Sequence, residues 1–240
     1  MPFSKYQFNT YCYWPSNPKK IIEFIGGSYL ASKPDFTYRR FIESLLNKNY
    51  AVHAFKYSPQ FDHQEIALQA WRDFKKCRDS LSNRIGSLIP SIRIGHSLGC
   101  KLHLIAPDGG RNCERFISIS FNNFSASRSI PLLKKISQKL DFKSEFSPSP
   151  DRTLQIIEKT YNQKNNFLIK FNSDELDQTD KLLKSLKVRK QDNSKGIVLK
   201  GNHTIIASAG IRENVLGDWA DDNFKKDTIK KITNIIDKSF

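Results

Sequence analysis

The feature that most constrains the fold is a serine flanked by glycines in residues 95–99, Gly-His-Ser-Leu-Gly. An apolar, strand-like segment precedes it, and residues 101–106 follow it as a stretch that can be helical. A chain that turns directly from a strand into a helix needs small residues two positions before and after the turning residue, because larger side chains would collide there. Gly95 and Gly99 meet that need. The pattern therefore predicts a strained turn that presents Ser97 at the end of a strand.

Segments with strand and helix patterns alternate on both sides of this turn. Apolar runs typical of buried strands occupy residues 21–25, 50–55, 92–94, 116–121, 166–171 and 197–200. Helical spacing of apolar residues occurs in 36–47, in 62–84 after a capping Asp62, and in 227–238. Strands separated by helix-length spacers predict an α/β fold with a mostly parallel central sheet and helices on both faces. With 240 residues, 38% of them hydrophobic, we expect residues 1–240 to form a single domain.

The connection formed by residues 122–165 interrupts this alternation and is longer than an ordinary loop. We expect it to be a short helical lid insertion over the site. Apolar residues at helical spacing predict an amphipathic helix with lysines on its other faces, namely Ile130, Leu133, Ile136 and Leu140. Two interpretations stay open: a lid with solvated lysines, which the usual behaviour of amphipathic helices favours, or a helix that rests on an anionic membrane. Ser149 and Pro150 predict the start of another helix.

The charge balance is strongly basic. Lys and Arg number 39 against 24 Asp and Glu, so the formal net charge is +15, which attracts anionic lipids, acidic substrates or phosphate-rich partners. The basic residues are scattered, and the sequence has no zinc-finger spacing and no aromatic RNA-binding box. A dedicated nucleic-acid-binding protein is therefore disfavoured.

The cysteines and the apolar segments indicate a compartment. The four cysteines are far apart in the sequence and form no Cys-x-x-Cys pair, so we expect reduced thiols and neither a metal site nor a cofactor. No segment has about 18 consecutive apolar residues, and the first residues lack the apolar core of a signal peptide. The sequence predicts a cytoplasmic protein, with peripheral contact with an anionic membrane as the alternative.

A serine hydroxyl is a weak nucleophile at neutral pH, so it needs a histidine base held by an acid. In proteins with this strand, turn and helix pattern, the acid follows the serine and the histidine follows the acid. Of the five histidines, only His203 lies late enough, directly after the strand predicted at 197–200. The loop after the strand at 166–171 offers several carboxylates; Asp174 is the preferred acid and Asp177 the alternative.

Attack on a carbonyl also requires hydrogen-bond donors for the oxyanion. One donor is expected to be the backbone N–H of Leu98, the residue after the nucleophile. The other is expected from the loop after the first predicted strand, where Gly26 and Gly27 precede Ser28. We take Ser28 or Gly27 as that donor.

In this order, these motifs resemble those of the α/β-hydrolase superfamily over nearly the whole chain. More narrowly, residues 24–28, Phe-Ile-Gly-Gly-Ser, and 168–172, Leu-Ile-Lys-Phe-Asn, are similar to DUF1350, a domain of unknown function known from photosynthetic lineages. The resemblance implies the hydrolase fold and its triad, but no substrate. The sequence departs from the wider superfamily because Gly26 stands where a histidine commonly precedes the oxyanion loop, which leaves the identity of the donor open.

Three hypotheses of function follow. The first is a serine hydrolase that cleaves a carboxylic ester or thioester of a small-molecule or lipid-like acyl substrate through an acyl-enzyme on Ser97. The second is a binding or scaffold protein that has kept the fold without catalysis and binds anionic lipid or a protein partner. The third is an acyltransferase that uses the same serine.

Overall fold

The computed structural model describes residues 3–129, 145–207 and 221–238, and its eight described strands form one sheet. The strands are β1 Phe3–Gln7, β2 Thr10–Trp14, β3 Ile21–Ile25, β4 Ala51–Phe55, β5 Ser91–His96, β6 Arg115–Ile119, β7 Asn166–Phe171 and β8 Lys195–Leu199. Their order is β1-β2-β4-β3-β5-β6-β7-β8. The pairs β1–β2 and β2–β4 are antiparallel, and every other pair is parallel. The prediction of a mostly parallel central sheet is confirmed.

The described helices connect these strands. They are α1 Pro34–Thr37, α2 Arg39–Leu46, α3 His63–Ile85, α4 Leu98–Leu104, α5 Ala126–Ser129, α6 Pro150–Thr160, α7 Thr179–Lys187 and α8 Asp221–Lys238, with a short 3-10 helix at Tyr29–Ser32. Both predicted caps are confirmed. The Asp62 side chain accepts a hydrogen bond from the N–H of Glu65, and the Ser149 side chain accepts one from the N–H of Arg152.

Helices cover both faces of the sheet. On one face, α2 and α8 pack against the central strands through buried side chains that include Phe41, Leu45, Ile232 and Ile236. On the other face lie α3, α4, α6 and α7, which bury among others Phe74, Leu102, Ile157 and Leu182. Every residue of β3, β4 and β5 is buried, as expected for parallel strands covered on both sides.

The sequence prediction missed two strands and joined two helices. In β2, Thr10, Cys12 and Trp14 are buried while the residues between them are half-buried, an alternation too short to identify a strand by itself. The single helix expected over 36–47 is wrong, because the backbone leaves helical geometry at Tyr38 (φ −118°, ψ 18°) between α1 and α2. This break allows the Tyr38 hydroxyl to reach the carboxyl edge of the sheet.

The connection at 122–165 is described only in part. Its described helices are α5 and α6, and the predicted amphipathic helix with Ile130, Leu133, Ile136 and Leu140 lies in 130–144, outside the described residues. The lid role and the single-domain boundary stay predictions.

All four cysteines are buried free thiols. Across the described ranges, no helix has the length and apolar character that crossing a membrane requires.

A buried charged network joins the two central strands. Glu23 of β3 lies opposite Arg93 of β5 in the sheet register, and neither residue is more than 2% exposed. Arg93 donates to Glu23 at 3.2 Å and makes two hydrogen bonds of 2.8 Å to the carboxylate of Asp108, which follows α4. Arg78 of α3 also donates to Glu23. The guanidinium of Arg93 thus supplies the countercharge of the buried Asp108 and shares that of Glu23 with Arg78.

We expect Arg93→Met to lower the free energy of unfolding by about 3–5 kcal/mol, because it leaves the buried Asp108 without a countercharge and Glu23 with Arg78 alone. Urea denaturation at pH 7 measures this change. Asp180→Asn is the matched control, since it breaks an exposed ion pair with Lys170 and should cost less than about 1 kcal/mol. Equal losses in the two variants would show that the buried network does not stabilise the sheet.

Candidate active site

The predicted turn lies between β5, which ends at His96, and α4, which begins at Leu98. Ser97 has φ 54° and ψ −121°, a strained conformation for a residue with a side chain. Its N–H donates to the carbonyl oxygen of Ile119 at 3.0 Å, which fixes the turn to β6. The strained backbone directs the hydroxyl toward the carboxyl edge of the sheet.

The two glycines that flank this turn are required by close packing. A Cβ atom added at Gly99 would lie 2.0 Å from the carbonyl oxygen of Ile25, and one added at Gly95 would lie 2.5 Å from the backbone of Cys100. Both neighbours are backbone atoms and cannot move aside as a flexible side chain could. The prediction that larger side chains at positions 95 and 99 would collide with their surroundings is confirmed.

The structure brings the three predicted catalytic residues together. His203 Nε2 lies 3.0 Å from the Ser97 hydroxyl oxygen. His203 Nδ1 lies 3.0 and 2.9 Å from the two carboxylate oxygens of Asp174. Because a carboxylate only accepts, Nδ1 carries the proton, and Nε2 is left to accept a hydrogen bond from the serine hydroxyl.

Hydrogen bonds join the loop that contains Asp174 to the loop that contains His203. The side-chain oxygen of Asn172 accepts from the N–H of Gly201 at 3.1 Å, and the N–H of Ser173 donates to the carbonyl of Gly201. After His203 the chain returns to the core, where Ile205 and Ile206 are buried. These contacts hold the His203 loop over the edge of the sheet where Ser97 lies.

The charge state of Asp174 suits its position. Burial by itself raises the pKa of this carboxyl, but the hydrogen bond from His203 and the one from the N–H of Leu176 lower it and leave the pKa below 3.8. Asp174 also accepts from the N–H of Leu176 at 3.0 Å. The group is therefore an ionised acceptor at neutral pH and can hold the imidazole in one orientation.

The alternative acid, Asp177, has another role. It accepts hydrogen bonds from the N–H and the hydroxyl of Thr179, both at 2.8 Å, at the start of α7. No described contact joins Asp177 to His203. Asp177 therefore stabilises the first turn of α7, and Asp174 occupies the position of the acid.

Gly27 does not fit the role of oxyanion donor, because its N–H donates to the Tyr38 hydroxyl at 2.8 Å. Its backbone nevertheless approaches the serine closely: a Cβ added at Gly27 would lie 3.0 Å from the Cβ of Ser97. Of the two donors considered for this loop, Ser28 is left, and within the described part of the chain its N–H has no acceptor. Leu98 offers the other N–H, since the first residue of a helix has no intrahelical partner for it.

A buried chain of hydrogen bonds, which the sequence did not reveal, joins the oxyanion loop to the base. The Tyr38 hydroxyl accepts from Gly27 and donates to His96 Nδ1 at 2.8 Å, and His96 Nε2 donates to the carbonyl oxygen of His203 at 2.8 Å. Burial lowers the pKa of His96 to about 3, so the ring is neutral and can donate on one side and accept on the other. The expectation that His96 points away from Ser97 and forms hydrogen bonds is confirmed.

A cavity of about 180 Å³ lies beside the two candidate oxyanion donors. Ser28 and Leu98 line it, together with the aromatic side chains of Tyr29, Phe61, Phe124 and Phe146. Lys101 and His63 also line it, and the sequence reasoning missed both. The available signal for Lys101 is its place four residues after Ser97, in a helix whose other residues are apolar except for His103. No group of three or more His, Cys, Asp or Glu suited to a metal ion occurs among the residues described.

The fold and the arrangement of Ser97, His203 and Asp174 on it define the class: this is an α/β-hydrolase-fold protein. The chain belongs to the DUF1350 family of proteins of unknown function, whose family model matches residues 7–231. No curated protein sequence matches it.

Solved structures similar to the chain share its fold at low sequence identity. An esterase from Pyrococcus furiosus, Pf2001, has a TM-score of 0.61 and 15% identity over 95% of this chain and 85% of the esterase. A thioesterase domain from the curacin biosynthetic pathway has a TM-score of 0.56 and 13% identity over 98% and 99%. A monoacylglycerol lipase from Paleococcus ferrophilus has a TM-score of 0.55 and 14% identity over 94% and 98%.

We expect Tyr38→Phe to lower kcat, because it leaves the Gly27 N–H and His96 Nδ1 without their partner and loosens the loops that hold Ser28 and His203. Each unpaired buried group costs about 1–3 kcal/mol, so thermal unfolding should also begin at a lower temperature. Ester hydrolysis and a thermal melt measure the two effects.

The matched control for that variant is Tyr50→Phe, which removes a hydroxyl bonded to Asp237 near the opposite edge of the sheet. It should lower stability without lowering kcat at temperatures where the protein is folded. If the two variants had equal effects on kcat, the Tyr38 hydroxyl would have no specific role in the site.

Proposed function

We propose that this protein is a serine hydrolase that cleaves a carboxylic ester or thioester through an acyl-enzyme on Ser97. The observation that carries the proposal is the continuous hydrogen bonding from Ser97 through His203 to Asp174, at a strained turn beside two available N–H groups. Such an arrangement favours catalysis over a scaffold role, because binding alone does not require an imidazole held between a serine and a buried carboxylate.

In the first half of the reaction, His203 Nε2 takes the proton of the Ser97 hydroxyl as the oxygen attacks the carbonyl carbon. The N–H groups of Leu98 and Ser28 stabilise the oxyanion that forms. Asp174 stabilises the imidazolium and keeps its Nδ1 proton in place. His203 then gives the proton to the departing alcohol or thiol, which leaves the acyl group on Ser97.

In the second half, a water molecule attacks the acyl-enzyme. His203 removes a proton from the water, and the oxyanion forms again in front of the same two N–H groups. Collapse of this intermediate releases the acid, and the proton returns from His203 to Ser97. The enzyme is then restored with its charge unchanged.

The structural neighbours support the same class of reaction. The three described above carry the names esterase, thioesterase and monoacylglycerol lipase. At 13–15% identity they share the fold, and the argument for hydrolysis depends on the residues of this chain.

We expect a fluorophosphonate probe to label the wild-type protein and not Ser97→Ala, since the probe reacts with an activated serine. Ser185→Ala is the matched control; this buried serine bonds to Glu158, outside the site, and its loss should leave labelling intact. In ester hydrolysis, Ser97→Ala should lose about 10⁶-fold in kcat and Asp174→Asn roughly 10⁴-fold. A wild-type protein that neither reacts with the probe nor hydrolyses any ester in a chain-length series would refute the proposal.

A further inference from the structure

The cavity beside Leu98 and Ser28 contains a buried cation. Lys101 lies one helical turn after Leu98 on α4 and is 1% exposed, and its ammonium nitrogen lies 5.8 Å from the centre of the Phe146 ring. It donates one hydrogen bond, of 2.8 Å, to the carbonyl oxygen of Pro148. An ammonium group has three N–H donors, so two are left for another acceptor within the described part of the chain.

Lys101 forms no ion pair in the residues described. Glu145 is the carboxylate whose charge acts on it, yet one oxygen of Glu145 accepts from the N–H groups of Ala126 and Phe146, and no salt bridge to Lys101 forms. Burial lowers the pKa of Lys101 to about 8, with Glu145 opposing the effect. A buried ammonium without a countercharge is unfavourable, so an anion that entered the cavity would be bound strongly there.

Two other residues that line the cavity, His63 and Asn123, each have a buried polar atom that finds no hydrogen-bond partner among the described residues. His63 Nδ1 is buried without a hydrogen bond, and burial, followed by the charge of Lys101, lowers the pKa of this histidine to about 3. The neutral ring can therefore donate from Nδ1 to a second oxygen of a bound anion. The side-chain oxygen of Asn123 is also without a partner and accepts only, so it suits a hydroxyl group or a water molecule next to the anion.

The position of the cavity indicates whether it binds the acyl part or the leaving group of the substrate. Leu98 and Ser28, which would hold the carbonyl oxygen, line the cavity, whereas His203 does not. Because His203 must protonate the leaving group, the leaving group lies on its side of the carbonyl, and the acyl chain extends the other way. The cavity with its aromatic walls and Lys101 therefore takes the acyl part.

We propose that the acyl part of the substrate ends in a carboxylate that binds Lys101, so that the protein hydrolyses half-esters or half-thioesters of dicarboxylic acids. The proposal rests on the hydrolase function proposed above and adds the substrate class. Lys101 determines specificity, the aromatic side chains contact the methylene chain, and the carboxylate supplies the countercharge that the described residues do not.

The test compares aryl monoesters of succinic, glutaric and adipic acid with neutral esters of the same shape, in which an isopropyl group replaces the carboxylate. After subtraction of the uncatalysed rate, we expect the wild-type protein to prefer at least one of the charged esters. A charge-assisted hydrogen bond predicts a preference of roughly 10- to 100-fold in kcat/KM. Lys101→Met should abolish the preference, because it lowers kcat/KM for the charged esters more than for the neutral ones.

Two control variants separate recognition from general effects. Lys159→Met removes the same charge from an exposed position on α6 and should keep the preference. Lys101→Gln keeps a donor for the Pro148 carbonyl but has no charge, so it should lose the preference as Lys101→Met does. If Lys101 only tethers the segment that contains Pro148, both Lys101 variants will slow charged and neutral esters alike, and the proposal is wrong.

The preference should also depend on pH. The other described ionisable groups that act on Lys101 are His63, which is neutral at these pH values, and the side chain of Glu145. The ratio of kcat/KM for charged and neutral esters should fall as the pH rises through about 8, because the ammonium loses its proton. In Lys101→Met the ratio should not change over the same range, and a parallel fall there would overturn the assignment to Lys101.

Binding to Ser97→Ala distinguishes failure of this proposal from failure of the proposed function. By calorimetry, the charged esters should bind this variant more tightly than the neutral ones, and the added change Lys101→Met should remove the difference. If the wild-type protein hydrolyses no ester but the difference in binding is present, the hydrolase proposal fails and the carboxylate site stands. Equal binding of charged and neutral esters contradicts the site, whatever the activity.

Discussion

The close contact between the turn at Ser97 and the loop after β3 is the constraint on which the site depends. Gly99 packs against the carbonyl of Ile25, and Gly27 packs against Ser97 itself, so these two backbones approach more closely than any larger residue would allow. The strain at Ser97 persists because β5, β6 and α4 hold the turn from three sides. This packing places Ser97, the proposed nucleophile, and the candidate oxyanion donors next to each other before any substrate binds.

The remaining parts of the site are held by hydrogen bonds between loops that are distant in sequence. Tyr38 and His96 connect the oxyanion loop with the backbone of His203, and Asn172 connects the acid loop with the same segment. Each of these loops follows the carboxyl end of a parallel strand or packs against one, which is where open α/β sheets place their ligands. The sheet thus positions the reacting groups, and the loops fix their orientation.

Much of this arrangement could be predicted from the sequence. The turn at Ser97, the parallel sheet and the late position of His203 depend on local patterns and on chain order, which a single sequence contains. The interval from the strand end favours Asp174 over Asp177, and the structure agrees: Asp174 contacts His203, whereas Asp177 precedes α7 and accepts from Thr179.

Other features depend on tertiary contacts and left no such signal. Tyr38 breaks a helix that its neighbours favour, because its ring and hydroxyl fit between Gly26 and His96. The sequence does not indicate that the N–H of Gly27 donates to the Tyr38 hydroxyl. It therefore could not decide between Gly27 and Ser28 as the oxyanion donor. Lys101 resembles any helical lysine until α3 and the segment around Phe146 bury it.

The most direct test of the central claim is to observe the covalent intermediate. The wild-type protein is mixed with an aryl ester, quenched in acid within the burst phase, digested, and examined by mass spectrometry. If Ser97 is the nucleophile, the mass of the acyl group will be found on Ser97. Turnover of the ester with no acyl group on Ser97, or with the acyl group on another residue instead, would contradict it.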